Sequence, residues 1–352
     1  MKISLAMIVK NEGKYIERCL NSVKELVDEI VIVDTGSTDN TISRIKQFPN
    51  IKLFEFEWCD DFSIARNYSI EKTTGDYILV LDADEYVEVG TRDELEKVMR
   101  RSAIGRILIE SRFRKENQVH IAKSHISRFF ERNTRYVGAI HEQLDSNKIR
   151  IDMSMKVKHD GYFEVNKSER NIPLLFKEVS RNPTDPYYLF QLGKELRISE
   201  RYKESFSILE KAYNLSNVNA PFYGELVVEL INSGKEYGEN KIFEFINQNE
   251  KLLENLCDFH FAKGLFYLDI SIKSPTIAVS YIHKIESSFL KCLRLDETKK
   301  IEYLQGTGSF LAAYNLGIFY EVTGNLERAK FYFELSSQYD YLLAKERIQK
   351  FI

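Results

Sequence analysis

The chain has 352 residues, 43% hydrophobic and 29% charged, with a formal net charge of -3. That composition suits a globular protein of roughly two domains, and it offers no global basic field that would draw nucleic acid. No apolar run approaches the ~20 residues of a membrane helix. The apolar opening stretch is too short for a signal peptide, because Lys10-Asn11-Glu12 ends it. Residues 3–9 therefore read as a first strand. Asn11 can cap the helix that follows, whose apolar face comes from Cys19, Leu20, Val23, Leu26 and Val27 at helical spacing.

Residues 29–34 form a second expected strand, ending in Asp34, and Thr35-Gly36-Ser37-Thr38-Asp39 is turn chemistry with Gly36 free to take a positive φ. Residues 40–48 read as a helix, with Asp39 as a helix-capping acid, and residues 51–56 read as a third strand. Residues 62–73 read as a third helix, capped by Asp61 or Ser63. Arg66 lies one turn into that helix, where it works against the dipole, so it is better placed reaching a carboxylate, a carbonyl or a phosphate. Trp58, the single tryptophan, reads as core. The apolar run 77–81 is a buried strand that ends in Asp82-Ala83-Asp84-Glu85. Strand and helix alternating over short connections imply a parallel sheet covered on both faces. Asp34 and Asp82 then share the edge where open α/β sheets bind ligands. Asp82 and Asp84 project on one side if the chain stays extended. Two close carboxylates suit a hard divalent cation shared with substrate phosphates, the alternative being two solvated loop acids.

After Asn182-Pro183-Thr184-Asp185-Pro186 the period becomes helical. Tyr188-Leu189-Phe190-Gln191-Leu192-Gly193 leads to Arg201-Tyr202 and Leu209-Glu210-Lys211-Ala212-Tyr213, and Ala313-Tyr314-Asn315-Leu316-Gly317 leads likewise to Gly324-Asn325-Leu326 and Ala329. Both copies resemble a tetratricopeptide repeat of ~34 residues, in which small residues let paired helices approach. Copies between residues 222 and 305 are degenerate. The many tyrosines and phenylalanines here read as interhelical core. Cys19, Cys59, Cys257 and Cys292 are scattered without a Cys-x-x-Cys pair, so they suggest neither zinc nor disulfides, and free thiols fit a cytoplasmic location.

Four motifs occur in order: Met7-Ile8-Val9-Lys10-Asn11-Glu12, Val33-Asp34-Thr35-Gly36-Ser37-Thr38-Asp39, Asp61-Phe62-Ser63-Ile64-Ala65-Arg66-Asn67 and Leu81-Asp82-Ala83-Asp84-Glu85. Together they resemble an inverting family 2 glycosyltransferase. Looser likeness continues through Arg128-Phe129-Phe130, Gly138-Ala139-Ile140-His141-Glu142 and His159-Asp160-Gly161-Tyr162. The layout is similar to bacteriocin S-glycosyltransferases of the sublancin type, whose catalytic domain precedes tetratricopeptide-like helices. The resemblance implies an α/β GT-A domain, a Rossmann-like nucleotide-diphospho-sugar transferase, followed by an all-α tetratricopeptide-like domain. The expected bounds are 1–170 for the catalytic domain, 171–186 for a linker and 187–352 for the helices.

The resemblance also implies roles. Asp34 would hydrogen-bond a uracil ring, Arg66 would face the nucleotide, Asp82 would lie near the ribose, and Asp84 would bind Mn2+ or Mg2+ at the diphosphate of a UDP-sugar donor. An inverting reaction needs a base for the acceptor's proton. Glu142 is the simplest, since carboxylates are ionised at neutral pH. His141 is read as a metal ligand beside Asp84, with a role as base as the alternative. His159 could support the site from behind, Arg128 reads as a surface arginine, and Glu12 as solvated or near the nucleotide. The expected acceptor is a Cys or Ser/Thr side chain of a peptide or protein, bound by the helical domain, which could also pair two copies of the chain. A cell-envelope glycan acceptor and a non-catalytic scaffold are the competing readings.

Overall fold

The computed structural model describes residues 1–115, 118–160, 167–295 and 303–351. Gly161 and Tyr162 of the last motif lie outside the described residues. The chain divides into two compact units, Met1–Glu178 and Val179–Ile352.

The first unit opens as the sequence suggests, with β1 (Ile3–Val9), α1 (Ile16–Val23), β2 (Glu29–Asp34), α2 (Thr41–Ile45), β3 (Ile51–Glu55), α3 (Phe62–Glu71) and β4 (Tyr77–Val80). It continues with β5 (Glu85–Val89), α4 (Arg92–Arg100), the long strands β6 (Ile104–Lys115) and β7 (Gln118–Glu131), the short pair β8 (Tyr136–Val137) and β9 (Gln143–Leu144), β10 (Arg150–His159) and α5 (Ser168–Arg181). Eight strands join one sheet in the order β3-β2-β1-β4-β7-β6-β10-β5. β3, β2, β1 and β4 are mutually parallel. β7 pairs antiparallel with both β4 and β6. The parallel sheet expected from the strands of residues 3–81 is present, and β5, β6, β7 and β10 extend it into a mixed one. The reason is local: β6 and β7 are separated by only two residues, and so short a connection joins antiparallel strands.

Period-2 alternation sorts the side chains of this sheet to its two faces. Ile3, Leu5 and Met7 of β1 join Tyr77 and Leu79 of β4 in one buried cluster. Ala6, Ile78 and Val80 point the other way, into a cluster with Phe130 and Tyr136. Burial on both faces accounts for the unbroken apolar run of β4. The register pairs Val9 with Asp34 and Ala6 with Val80, so the residues after β1, β2 and β4 emerge along one edge.

One expected cap comes out differently, and the choice left open for α3 is decided. Asn11 does not cap α1, which begins at Ile16 without a side-chain cap. It takes a left-handed φ of +57° and its Oδ1 accepts from Thr38 N at 2.8 Å, pinning the loop after β1 to the loop after β2. Asp61, rather than Ser63, caps α3 by accepting from Ile64 N at 3.1 Å. Gly36 takes φ +102°, as its turn requires.

The segment 171–186 is not an extended linker. Helix α5 runs from Ser168 to Arg181 with Pro173 inside it, and the boundary between the units falls within that helix. Its buried residues Asn171, Leu174, Leu175 and Glu178 follow the helical period, which outweighs the proline.

The second unit consists of paired helices: α6 (Pro186–Ile198) with α7 (Tyr202–Leu215), α8 (Tyr223–Tyr237) with α9 (Ile242–Asn249), α10 (Cys257–Lys273) with α11 (Pro275–Arg294), and α12 (Phe310–Val322) with α13 (Leu326–Ser337), then α14 (Leu342–Ile348). Close approach explains the small residues. A Cβ on Gly193 would stand 2.5 Å from Leu209, and one on Gly317 would stand 2.5 Å from Phe333. The aromatic residues fill the interhelical core, as expected. All four cysteines are free.

Candidate functional site

The strand ends carry four acids, Glu12, Asp34, Asp82 and Asp84, which sit in three different electrostatic settings. Asp34 closes β2. Its Oδ2 accepts from Gly36 N at 3.1 Å and Ser37 N at 2.9 Å, while its buried Oδ1 has no hydrogen-bond partner among the described residues. A buried acceptor left unpaired is costly, and such an atom calls for a donor from outside the chain.

Asp82 is held between two buried guanidiniums. Arg66 Nη2 lies 2.8 Å from its Oδ1, and Arg128 Nη2 lies 2.9 Å from its Oδ2. Burial pushes the Asp82 carboxyl up, but Arg66 and Arg128 outweigh it and hold the group well below the usual carboxylate range. Arg66 also donates through Nε to Glu142, and Arg128 reaches Glu85 at 3.1 Å. Glu85 in turn accepts from Asp82 N at 2.8 Å. Asp82, Glu85, Glu142, Arg66 and Arg128 therefore form one network, in which Arg66, Arg128 and Glu85 are buried and the Asp82 side chain is 31% exposed. Arg66 Nη1 and Arg128 Nε are buried within it and make no hydrogen bond among the described residues.

Asp84 belongs to a separate group. Lys167 Nζ lies 2.9 Å from its Oδ2, and His159 Nε2 lies 3.3 Å from the same oxygen. The other ring nitrogen of His159 meets Ser111 Oγ at 3.0 Å. Burial raises the Asp84 carboxyl, but His159 and Lys167 bring it down to about 2. Burial lowers the His159 imidazole, and Asp84 reverses this and raises it. Glu12 faces the same cluster. Burial and the charges of Asp84 and Asp82 push its carboxyl up to about 7, against the pull of Lys167 and His159.

Several sequence expectations meet here and several do not. Arg66, Asp82 and Glu142 come together, although they are far apart in the chain. The histidine on Asp84 is His159, not His141. β10 pairs with β5 so that His159 faces Glu85, next to Asp84, and β10 pairs with β6 so that His159 faces Ser111. His141 instead takes a left-handed φ of +50°, and its carbonyl accepts from Gln143 Nε2 at 3.1 Å. Arg128 is buried rather than on the surface. Its neighbours Phe129 and Phe130 lie fully in the core, and that apolar flank was the available signal. Lys167 follows no motif and carried no signal at all. Asp39 is an anchor of loops rather than a cap: it accepts from Thr41 N at 2.9 Å and Gly13 N at 3.1 Å, with Asn40 at the α2 cap position.

Among the described residues no group of three or more His, Cys, Asp or Glu side chains is set to hold a metal ion. Both oxygens of Asp82 are taken by arginines. Asp84 remains as a single buried, ionised carboxylate. One carboxylate together with substrate phosphates is an ordinary donor set for Mg2+, which keeps several other ligand positions for phosphate and water. The residues present therefore fit a cation that arrives with a diphosphate, and they do not fit an all-protein metal cage.

The stretch from residue 4 to residue 153 matches the family model described as Glycosyl transferase family 2. The first unit holds a family 2 glycosyltransferase domain. Its mixed sheet is of the GT-A type, and the paired helices that follow are tetratricopeptide-like. The SPbeta prophage-derived glycosyltransferase SunS of Bacillus subtilis (strain 168) is 34% identical over 225 residues, covering 60% of this chain and 53% of that protein. A TPR repeat-containing protein of Synechococcus elongatus is 32% identical over 211 residues, covering 54% of this chain and 51% of that one. The chain spans about half the length of these curated relatives. A crystal structure of S. aureus TarS 1-349 in complex with UDP is 13% identical, with a TM-score of 0.35, over 83% of this chain and 90% of that one. No helix among the described residues is long and apolar enough to cross a membrane.

Proposed function

We propose that this chain is an inverting glycosyltransferase that moves a hexose or N-acetylhexosamine from a UDP-sugar to a side chain of a peptide or protein. The observation that carries this reading is the unpartnered, buried Oδ1 of Asp34 at the same sheet edge as the Asp82 network and Asp84. An acceptor atom held ready beside an ionised carboxylate and a pair of guanidiniums matches what a uridine diphosphate presents: a ring N–H at one end and two phosphates at the other.

The family resemblance supplies the roles, and the geometry supports them. Asp34 Oδ1 receives the uracil N–H while Oδ2 stays fixed by Gly36 and Ser37. Arg66 and Arg128 hold Asp82 rigid toward the ribose, so this acid needs no ligand to stay ionised. A bound Mn2+ or Mg2+ at Asp84 would offset the charge growing on the leaving UDP. Glu142, fixed by Arg66, takes the proton of the acceptor Cys, Ser or Thr. The acceptor atom bonds to the anomeric carbon as the bond to the diphosphate oxygen breaks, and the electron pair leaves with UDP. His141 has no assigned part in this scheme.

The peptide acceptor rests on the SunS-like layout, in which paired helices follow the transferase domain. Such helices present an extended surface that can hold a peptide or a second copy of the chain. The deciding experiment measures UDP release from a panel of UDP-sugars with Mn2+, Mg2+ or EDTA, without acceptor. Metal-dependent hydrolysis of one donor is expected. Absence of both hydrolysis and UDP binding would overturn the reading in favour of a non-catalytic scaffold.

A further inference from the structure

We infer that Lys167 and a divalent cation compete for the Asp84 carboxylate, so that the chain carries its own displaceable counter-cation at the metal position. The inference takes from the glycosyltransferase reading only that Asp84 meets a divalent cation.

Three observations carry it. First, Lys167 Nζ and His159 Nε2 both approach one oxygen of Asp84, at 2.9 Å and 3.3 Å, and the Asp84 side chain is only 6% exposed. A cation bound at about 2 Å from that carboxylate would stand almost against the ammonium, so the two positive charges exclude each other. Second, Lys167 immediately precedes α5, and its carbonyl accepts from Asn171 N at 3.0 Å at the head of that helix. A lysine there opposes the helix dipole, so local sequence does not favour its charge at this place; the acid opposite does. Third, the Lys167 side chain is 21% exposed, against 6% for Asp84, so its flexible stem can withdraw toward solvent. His159 lacks that freedom, being buried and braced by Ser111.

The surrounding charges explain why such a lysine is useful. Glu12, Asp82 and Asp84 influence one another electrostatically, and the guanidiniums neutralise Asp82 alone. Without a metal, Lys167 supplies the charge that keeps Asp84 in place. When a cation binds, the ammonium is the group that yields.

The test measures Mn2+ binding to the full chain by electron paramagnetic resonance, with and without UDP, for wild type, K167M, K167R and D84N. K167M is expected to bind Mn2+ about tenfold more tightly than wild type, K167R within about threefold of it, and D84N not at all. Equal or weaker affinity in K167M would overturn the inference. So would equal tightening in K167R and K167M, because that would trace the effect to packing rather than charge. No Mn2+ binding by any variant would overturn it as well. If K167M fails to fold, K167Q replaces it with the same expectations. Tightening by K167M in a chain that neither hydrolyses nor binds a UDP-sugar would leave this inference standing and remove the proposed function. Donor hydrolysis with unchanged Mn2+ affinity in K167M would do the reverse.

Discussion

Arg66 Nε donates to Glu142 across 76 residues of chain, and Nη2 of the same guanidinium holds Asp82 at 2.8 Å. One buried cation thereby fixes both the acid assigned to the acceptor and an acid assigned to the nucleotide. R66A would leave Glu142 without its guanidinium and Asp82 with Arg128 alone, at a cost of about 3 kcal/mol or less. A large fall in the urea midpoint and loss of UDP binding are expected. R66K retains charge but not the two-ended geometry, so it is expected to recover part of the stability and little of the binding.

Glu142 separates binding from chemistry. If it takes the acceptor's proton, E142Q lowers kcat for transfer by about 10²–10⁴-fold. The Kd for the UDP-sugar should change far less, because Arg66 still has Asp82. Single-turnover transfer and donor titration on the same protein give both numbers. Equal losses in both would recast Glu142 as a structural partner of Arg66.

Asp34 offers a nucleotide-specific test. In D34N the amide oxygen can keep the bonds from Gly36 and Ser37, which leaves an NH2 group where the unpartnered oxygen now lies. A donor would then face the uracil N–H. The loss expected is about 1–3 kcal/mol, or roughly 10–100-fold in UDP affinity by calorimetry, with the melting temperature nearly unchanged.

Glu12 sets a pH dependence of stability. Its folded carboxyl is pushed up to about 7 from an ordinary value of 4.5. Between those values the folded chain holds a proton that the unfolded chain has released, so stability falls as pH rises through this window. At pH 8 the ionised group costs at most about 3 kcal/mol, less after solvent screening. E12Q should therefore raise the melting temperature more at pH 8 than at pH 5. An equal gain at both values would show that neither burial nor the Asp84 and Asp82 charges raise this carboxyl.

Gly317 tests the helix pairing. A methyl group there meets the Phe333 ring at 2.5 Å. G317A is expected to destabilise the second unit by about 1–3 kcal/mol through overpacking, despite the better helix propensity of alanine. Chemical denaturation followed by helical circular dichroism gives the size. A stabilised G317A would mean that α12 and α13 have room to part.

The acids at the strand ends were legible in the chain because both signals are local. Burial writes an apolar run, and the run stops where the strand ends in an acid, as at Asp34 and Asp82. The same holds for the helical second unit, where Gly193 and Gly317 mark close approach through their size alone. The partners of those acids were not legible. Arg128, His159 and Lys167 reach Asp82 and Asp84 from 46, 75 and 83 residues away. Periodicity tells which face of a strand a side chain takes, but strand order and register decide what stands opposite. The antiparallel insertion of β7 brings Arg128 to Asp82, and the pairing of β10 with β5 puts His159, not His141, against Asp84. Those choices are made by the packing of the whole sheet, and only the tertiary structure records them.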